Sequence, residues 1–331
     1  MKIAINGFGR IGKQFLLAAI EKNLQAEFVI NEHGPIDYVV YSLRYDSVHP
    51  SFKGTIRQEK DFLFLENRKI KVYSIPDPEK LPWKKEGVDI VVECTGLFTQ
   101  KEDAEKHIKA GAKKILISAP AKNHDITIVI GVNDNSLKKE HKIISAGSCT
   151  TNSVSPILKI INDAFKIQSA IFITTHAYTA TQRLIDGSDK KDFRRGRAAA
   201  VNISPSTSGA SQSVIEAIPE LKGKLSGYAL RVPVVNGSIS SIIACVNKKT
   251  DVRQVNDLFK KKSLSEMKGI LSYTEEPIVS TDIIHDSSSC IFDASLTSVI
   301  GNTISVAGWY DNEWGYSNRL VDVVELLSKN N

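Results

Sequence analysis

The segment Lys2-Ile3-Ala4-Ile5-Asn6-Gly7-Phe8-Gly9-Arg10-Ile11-Gly12 decides the fold of this chain. Its first half predicts a short strand over Lys2–Asn6, and the residues after it predict a helix over Ile11–Lys22. The three glycines between strand and helix are spaced Gly-x-Gly-x-x-Gly. In that context the first makes a tight turn, the second lets the backbone approach a pyrophosphate, and the third lets helix and strand pack closely. The segment thus predicts a dinucleotide site, with the phosphates at the positive end of the helix.

An acidic residue follows the next predicted strand, Glu27–Asn31. Glu32 lies about 20 residues beyond the glycines, where dinucleotide sites place a carboxylate on the ribose hydroxyls. That carboxylate would repel the additional phosphate of NADP, so the sequence favours NAD as the cofactor.

Short apolar strands alternate with helical stretches through the first half of the chain. Beyond the two strands already named, we expect a hairpin over Phe62–Tyr73, a polar helix over Lys101–Ala110, and strands over Val88–Glu93, Lys114–Ser118 and Ile126–Ile130. This alternation predicts an α/β fold with a Rossmann-type, mostly parallel sheet covered by helices.

The pattern changes near residue 149. A helix is predicted over Thr150–Phe165, because its apolar residues at 154, 157, 158, 161 and 165 share one face. We expect a long ordered loop over 177–203 and a final helix over Tyr316–Leu327. Strands are predicted over Ser169–Thr175, Leu225–Val246, Gly269–Tyr273, Cys290–Asp293 and Thr303–Trp309. We therefore expect an NAD-binding domain over 1–148 plus 313–331, and over 149–312 an α+β catalytic domain built on an antiparallel sheet.

Composition excludes several classes of protein. The 331 residues are 42% hydrophobic and 24% charged, which is ordinary globular usage and excludes a disordered chain. A net charge of +6 does not indicate nucleic-acid binding as the main role, and no apolar run suggests a membrane span or a secretory signal. Four scattered cysteines predict neither a disulfide framework nor a metal site, so we expect a cytoplasmic protein without metal.

One cysteine stands out as a candidate nucleophile. Cys149 lies at the start of the predicted helix in a polar segment, where the positive helix end would lower the pKa of its thiol. The other three cysteines lie in or beside predicted strands and are interpreted as buried. His176, at the end of the strand Ile171–Thr175, is the candidate base, and the remaining histidines are interpreted as solvated.

Hydroxyl and guanidinium groups cluster in the second half of the chain. Arg194-Arg195-Gly196-Arg197 lies in the long loop, Ser206-Thr207-Ser208-Gly209-Ala210 precedes a helix, and Arg231 interrupts an apolar strand. A buried arginine is costly without an anion, so these segments predict phosphate sites.

Taken together, these residues resemble the phosphorylating glyceraldehyde-3-phosphate dehydrogenase family over essentially the whole length. The resemblance rests on nine stretches: Ile5–Gly12, Arg44-Tyr45-Asp46-Ser47, Glu93-Cys94-Thr95-Gly96, Ser118-Ala119-Pro120, Ser148-Cys149-Thr150-Thr151-Asn152, His176-Ala177-Tyr178-Thr179, Arg194–Ala199, Arg231-Val232-Pro233 and Trp309-Tyr310-Asp311-Asn312-Glu313.

The resemblance implies a covalent mechanism. The Cys149 thiolate would attack the aldehyde of glyceraldehyde 3-phosphate, and His176 would take the proton while hydride passes to NAD. Inorganic phosphate would then attack the thioester to give 1,3-bisphosphoglycerate. The resemblance also implies a homotetramer, with the long loop near a neighbouring subunit's cofactor.

It also implies the ligand contacts. Thr179 and Arg231 would hold the substrate phosphate, and Asn312 would fix the nicotinamide amide. The incoming phosphate would be held by Ser148, Thr150, Arg195, Ser208 and Gly209. The cofactor contacts would be Gly7, Gly9, Arg10, Ile11, Gly12, Glu32, Thr95, Gly96, Ser118 and Asn312.

Three alternatives stay open at this point. Gly187-Ser188 resembles the pair found in NADP-using relatives, which leaves use of NADP open beside Glu32. Erythrose-4-phosphate dehydrogenase would share the nucleophile and base, although Thr179 and Ser206–Gly209 favour the glyceraldehyde reaction. The third is a non-enzymatic, basic nucleotide-binding protein that contacts RNA or other proteins, and the Cys149–His176 pair speaks against it as the main role.

Overall fold

The computed structural model describes residues 1–189 and 192–329, and it divides into two compact units. The first unit comprises Met1–Ile128, Asp134–Gly147 and the C-terminal segment from Ser317, and the second comprises Val129–Asn133 and Ser148–Tyr316. The sequence pattern did not indicate that Val129–Asn133 belongs to the second unit. It does so because Val129 is buried in that unit's hydrophobic core.

The described residues of the first unit form one nine-stranded sheet and its helices. The strands are β1 (Lys2–Asn6), β2 (Glu27–Asn31), β3 (Ile56–Glu59), β4 (Phe62–Leu65), β5 (Arg68–Tyr73), β6 (Ile90–Glu93), β7 (Lys114–Ile117), β8 (Ile126–Thr127) and β9 (Ile143–Ser145). The helices are α1 (Arg10–Glu21), α2 (Ile36–Arg44), α3 (Trp83–Glu86) and α4 (Lys101–Lys109). The strand order is β3-β4-β5-β2-β1-β6-β7-β9-β8.

The predicted Rossmann-type sheet is confirmed. From β5 through β2, β1, β6, β7 and β9 to β8 every neighbouring pair is parallel. The predicted hairpin over Phe62–Tyr73 is present as the antiparallel pair β4 and β5. The strand expected over Ile126–Ile130 ends at Thr127, because Val129 packs instead in the core of the second unit.

The second unit contains a seven-stranded sheet. Its strands are β10 (Ile167–Ala177), β11 (Ser204–Thr207), β12 (Leu225–Val232), β13 (Ser238–Val246), β14 (Leu271–Thr274), β15 (Cys290–Ile300) and β16 (Thr303–Tyr310), in the order β11-β12-β10-β13-β16-β15-β14. Its helices are α5 (Cys149–Phe165), α6 (Ala210–Ala217) and α7 (Val252–Leu264), and the C-terminal helix is α8 (Trp314–Lys329).

The second sheet is mixed, which corrects the antiparallel prediction. Four neighbouring pairs are antiparallel, but β10 pairs with β12 and β14 pairs with β15 in parallel. Parallel pairs need a long crossover connection, and the long loop with β11 and α6 supplies one between β10 and β12. The helix face predicted from the spacing of apolar residues is buried in this core through Val154, Ile157, Leu158 and Ile161.

The long loop is ordered in short 3-10 turns at Phe193–Gly196 and Ala199–Val201. Lys190 and Lys191 of the predicted 177–203 loop lie outside the described residues, and Ala177 ends β10 rather than opening the loop. Within residues 1–189 and 192–329, no helix is both long enough and apolar enough to span a membrane. In that same part of the chain, no group of three or more His, Cys, Asp or Glu residues is arranged to hold a metal ion.

Candidate active site

The glycine loop between β1 and α1 depends on its first and third glycines. Gly7 has a φ of 90°, and a Cβ there would lie 2.8 Å from the Thr95 side chain. A Cβ on Gly12 would lie 2.0 Å from the Gly7 carbonyl oxygen, so only glycine lets α1 pack this closely. A Cβ on Gly9 would meet nothing within 4 Å among the described residues. A glycine there is therefore not required by packing within the chain, which suits close approach by a ligand.

The N-terminus of α1 has the features of an anion site. Its N-cap is Gly9, which has no side chain to accept a hydrogen bond from the first turn. The N–H groups at the start of a helix and the helix dipole favour a phosphate at this end. Arg10, a predicted cofactor contact, pairs with Asp46 at 2.5 Å. Burial alone would raise the pKa of Asp46, but hydrogen bonds from Arg10 and Lys13 hold it well below its usual value.

Glu32 lies directly after β2, beside the glycine loop. One carboxylate oxygen accepts a hydrogen bond from the Phe8 amide and the other from the Gly34 amide at 3.2 Å. These two bonds orient an acceptor group at the end of the strand, which fits the hydroxyls of a ribose.

A buried polar network that the sequence analysis missed lies beneath this loop. The Glu93 carboxylate accepts hydrogen bonds from Asn6 Nδ2 at 2.5 Å and from the Thr95 amide at 2.7 Å, and His107 Nε2 lies 3.2 Å from it. Trp83 Nε1 donates to His107 Nδ1 at 3.0 Å, which leaves the ring proton on Nε2 to donate to Glu93. The prediction that His107 is solvated is wrong, because this histidine is fully buried.

The network fixes the segment that carries three other predicted cofactor contacts. Thr95 follows β6 and is tied to Glu93 through both its amide and its hydroxyl, and Gly96 adopts a φ of 70°. Ser118, after β7, donates its amide to the Glu93 carbonyl at 3.0 Å. All three thus lie beyond the carboxyl ends of parallel strands, where ligands bind in open α/β sheets.

In the second unit, Cys149 begins α5. Ser148 caps the helix by accepting a hydrogen bond from the Thr151 amide at 3.1 Å, and the Thr151 hydroxyl accepts one from the Ser148 amide. This capping box fixes where the helix starts and so where the thiol is held. The Cys149 sulfur lies 3.3 Å from His176 Nε2, within hydrogen-bond distance for sulfur.

Strand register brings Arg231 beside this pair. In the parallel pair of β10 and β12, His176 is the register partner of Arg231. Arg231 Nη1 lies 2.6 Å from His176 Nδ1 and 3.1 Å from the Ala177 carbonyl oxygen, which is itself 2.7 Å from Nδ1. A carbonyl oxygen only accepts hydrogen bonds, and a guanidinium only donates them. His176 Nδ1 therefore bonds to the Ala177 carbonyl when it carries the ring proton, and to Arg231 when it does not. With the proton on Nδ1 donated to Ala177, Nε2 is free to accept a proton from Cys149.

The pKa values of the pair follow from burial and from Arg231. Burial and the positive charge of Arg231 lower the pKa of His176 to about 3, so the imidazole is neutral near neutral pH. Burial raises the pKa of the Cys149 thiol, while the charge of Arg231 and the hydrogen bonds of Thr150 oppose this rise. The sequence prediction of a lowered thiol pKa is therefore wrong in direction, because burial disfavours the thiolate and has the largest effect on this pKa.

The predicted phosphate contacts lie in the same unit as Cys149. Arg195 donates to Ser206 Oγ at 3.4 Å, and its charge adds to burial in lowering the pKa of Arg231. The Thr150 hydroxyl lies 3.0 Å from the Tyr310 hydroxyl, a buried contact that the sequence did not indicate. The Ser208 hydroxyl accepts a hydrogen bond from the Ala210 amide at 3.2 Å, and Gly209 is the N-cap of α6. The Thr179 hydroxyl lies 2.9 Å from that of Thr181.

Asn312 lies between β16 and α8 and is only 5% exposed. Its Oδ1 accepts hydrogen bonds from the Gly237 amide at 3.2 Å and from the Ser238 hydroxyl at 2.8 Å. The amide is thus held from one side, which suits a residue that orients a ligand.

Comparison with known proteins defines the class and then the family. Residues 1–101 match the family model described as "Glyceraldehyde 3-phosphate dehydrogenase, NAD binding domain". Residues 148–312 match the one described as "Glyceraldehyde 3-phosphate dehydrogenase, C-terminal domain". With the Rossmann-type sheet, these matches make the chain an NAD-dependent oxidoreductase.

Curated relatives match this chain along nearly its full length and support the same family. The chain is 50% identical over 331 residues to glyceraldehyde-3-phosphate dehydrogenase of Thermotoga maritima, with 99% of each chain covered. It is 46% identical to glyceraldehyde-3-phosphate dehydrogenase 2 of Streptomyces avermitilis, covering 99% of this chain and 98% of the relative. The corresponding enzyme of Chlamydia pneumoniae is 45% identical, with 100% and 99% covered. The chain belongs to the glyceraldehyde-3-phosphate dehydrogenase family.

Proposed function

We propose that this chain catalyses the NAD-dependent oxidative phosphorylation of glyceraldehyde 3-phosphate to 1,3-bisphosphoglycerate, with Cys149 as nucleophile and His176 as base. The observation that carries the assignment of these roles is the 3.3 Å contact between Cys149 Sγ and His176 Nε2 at the start of α5. Steady-state rates with glyceraldehyde 3-phosphate and erythrose 4-phosphate, at equal NAD and phosphate, test the activity. A higher kcat/KM on the four-carbon aldehyde would overturn it.

The residues act in sequence on one carbon atom. As Cys149 Sγ attacks the aldehyde carbon, His176 Nε2 accepts the thiol proton and passes it to the aldehyde oxygen, giving a thiohemiacetal. NAD, when bound, accepts the hydride that leaves this carbon. His176 takes back the hydroxyl proton in that step, and the product on sulfur is a thioester. Inorganic phosphate then attacks the thioester carbon, and the Cys149 sulfur departs.

The charges around Cys149 support the two phosphate sites. We assign Arg231 and Thr179 to the substrate phosphate, and Ser148, Thr150, Arg195, Ser208 and Gly209 to inorganic phosphate. Burial and the charge of Arg195 lower the pKa of Arg231, so a phosphate bound beside both guanidinium groups would stabilise their positive charges. When a phosphate draws Arg231 away from His176 Nδ1, the contact between Nδ1 and the Ala177 carbonyl remains, and Nε2 stays oriented towards Cys149.

An Arg231→Ala variant is expected to raise KM for glyceraldehyde 3-phosphate by about 10- to 150-fold, while KM for NAD stays within about twofold. The reason is the loss of a charge-assisted contact to phosphate, worth about 1.5–3 kcal/mol. Steady-state kinetics measures both constants, and Arg253→Ala serves as control because Arg253 is an exposed arginine on α7. An increase confined to KM for NAD would show that the phosphate site is wrongly assigned.

The cofactor preference is assigned to Glu32. We expect Glu32→Gln to lower kcat/KM with NAD by about tenfold and to raise it with NADP, because the variant keeps an acceptor but loses the charge that repels a 2′-phosphate. Parallel kinetics with the two cofactors measures this. Glu27→Gln is the matched control at the other end of β2, with 81% of its side chain exposed. Equal kcat/KM of the parent with NAD and NADP would instead show that Gly187-Ser188 outweighs the Glu32 carboxylate.

The assembly and its setting are proposed from the surface. Ile171 and Ile243 are about half exposed on β10 and β13, and Leu184, Ile185 and Phe193 of the long loop are 76–87% exposed. Apolar groups of this extent favour burial against further copies of the chain, so we propose a homotetramer. A solution mass near that of one 36.5-kDa chain would contradict it.

Four free thiols fit a reducing, cytoplasmic setting.

We propose that the two domains have separate functions. Residues 1–148 plus 313–331 bind NAD, and residues 149–312 carry the reaction. The glycine loop and Glu32 lie in the first unit, and Cys149, His176 and Arg231 lie in the second.

A further inference from the structure

We infer that Ser238 is a positioning residue for the cofactor. Its hydroxyl fixes the side-chain amide of Asn312 so that Nδ2 is presented to the carbonyl oxygen of the nicotinamide carboxamide. The inference rests on the proposed function, in which Asn312 holds that carboxamide. It goes further by naming the group that orients Asn312 and the atom that Asn312 offers.

The orientation of the Asn312 amide follows from a backbone donor. The oxygen and nitrogen of an asparagine side chain are assigned from their hydrogen bonds. The Gly237 amide, 3.2 Å from Asn312 Oδ1, can only donate, so the atom facing it must be the oxygen. With Oδ1 turned inward, Nδ2 is the end of the amide that is left to meet a ligand, and an N–H group selects a carbonyl oxygen.

The direction of the Ser238 hydroxyl is fixed in the same way. The Ala177 amide donates to Ser238 Oγ at 3.1 Å, so this oxygen acts there as an acceptor. The hydroxyl proton is then available for Asn312 Oδ1 at 2.8 Å. Ser238 and Asn312 are only 1% and 5% exposed, so water does not compete for these bonds. The result is a directed chain from Ala177 through Ser238 to Asn312.

The topology of the sheet explains why one serine can serve both neighbours. Ser238 begins β13, which lies between β10 and β16, and its register partner on β16 is Tyr310, two residues before Asn312. Ala177 ends β10 and directly follows His176. Ser238 therefore ties the strand end that carries the base to the amide that orients the cofactor. Gly237, with a φ of 88°, allows the turn, since a Cβ there would lie 2.4 Å from the Ser280 carbonyl.

A double-mutant cycle on NAD affinity tests the inference. Titration calorimetry with NAD on the full chain should show binding weakened about tenfold by Ser238→Ala, because Asn312 Oδ1 then loses one of its two donors and the amide is oriented by the Gly237 amide alone. Ser241→Ala, an exposed serine on the same strand, should bind like the parent. In an Asn312→Ala background, Ser238→Ala should cause no further loss, because its effect passes through Asn312.

Each outcome of the cycle has a distinct meaning. Equal, additive losses in both backgrounds would overturn the inference, since Ser238 would then act without Asn312. If Asn312→Ala alone left NAD affinity unchanged, the proposed role of Asn312 would fail, and the inference with it. The rate of Cys149 alkylation by iodoacetamide should be the same in Ser238→Ala and the parent, which separates this result from failure of the nucleophile assignment. If Ser238→Ala does not fold, Ser238→Cys takes its place, with a similar side chain and a weak donor.

Discussion

A Cys149→Ser variant is expected to lose turnover by about 10⁴-fold or more while its affinity for NAD stays within about twofold. The substitution keeps the capping box of α5 and the neighbouring His176, but the hydroxyl is a far weaker acid and nucleophile than the thiol at neutral pH. Loss of a nucleophile that acts together with its base removes the whole covalent route. Initial rates of NADH formation and calorimetric titration with NAD measure the two properties.

Cys245→Ser is the matched control for this experiment. Cys245 lies on β13 and donates to Gln168 at 3.3 Å, a contact that a serine hydroxyl can also make. It should keep the parent rate. Turnover by Cys149→Ser within tenfold of the parent would contradict the assignment of the nucleophile.

A His176→Asn variant is expected to slow the chemical step by about 10²- to 10⁴-fold, the usual contribution of a general base. Asparagine keeps a polar side chain at the end of β10 but has no basic nitrogen 3.3 Å from Cys149 Sγ. A single-turnover burst of NADH, followed in a stopped-flow instrument, isolates this step from product release. The alkylation of Cys149 by iodoacetamide near neutral pH should also slow, since no group then accepts the thiol proton.

The pKa values of His176 and Cys149 predict how the reaction rate and the alkylation rate change with pH. The pKa of His176 is lowered to about 3, so the neutral base persists as the pH falls from 7 to 5, and its protonation does not limit the rate there. Burial raises the pKa of Cys149, so alkylation of the parent should accelerate as the pH rises. His141→Asn is the control, because His141 belongs to the first unit and accepts a hydrogen bond from the Lys138 amide. An alkylation rate unchanged by His176→Asn would show that the two side chains do not act together.

Local sequence features predicted the conformation of the glycine loop well. The glycine spacing, the strand before it and the helix after it lie within a dozen residues, and the steric demands at Gly7 and Gly12 are those that the motif indicates. Contacts between distant segments were harder to predict. His107 resembles a solvated histidine in its polar helix, and only the packing of α4 brings it to Trp83 and Glu93.

The chemistry of the second unit depended on register and burial, which a pattern of residues does not reveal. Arg231 was identified as an unusual charge in an apolar strand, but its contact with His176 arises because β10 and β12 are parallel, and the sequence favoured an antiparallel sheet. The pKa of Cys149 was predicted from the helix end alone. Burial of the thiol, which depends on the packing of the whole unit, instead raises that pKa.

Trapping the covalent intermediate tests the central claim most directly. The protein would be mixed with glyceraldehyde 3-phosphate and excess NAD in phosphate-free buffer, quenched in acid, and digested for peptide mass spectrometry. We predict a 3-phosphoglyceroyl thioester on Cys149 that disappears within seconds when inorganic phosphate is added before the quench, with 1,3-bisphosphoglycerate released. NADH formed with no acyl group on Cys149, or an acyl group on Cys94, Cys245 or Cys290 instead, would contradict the account.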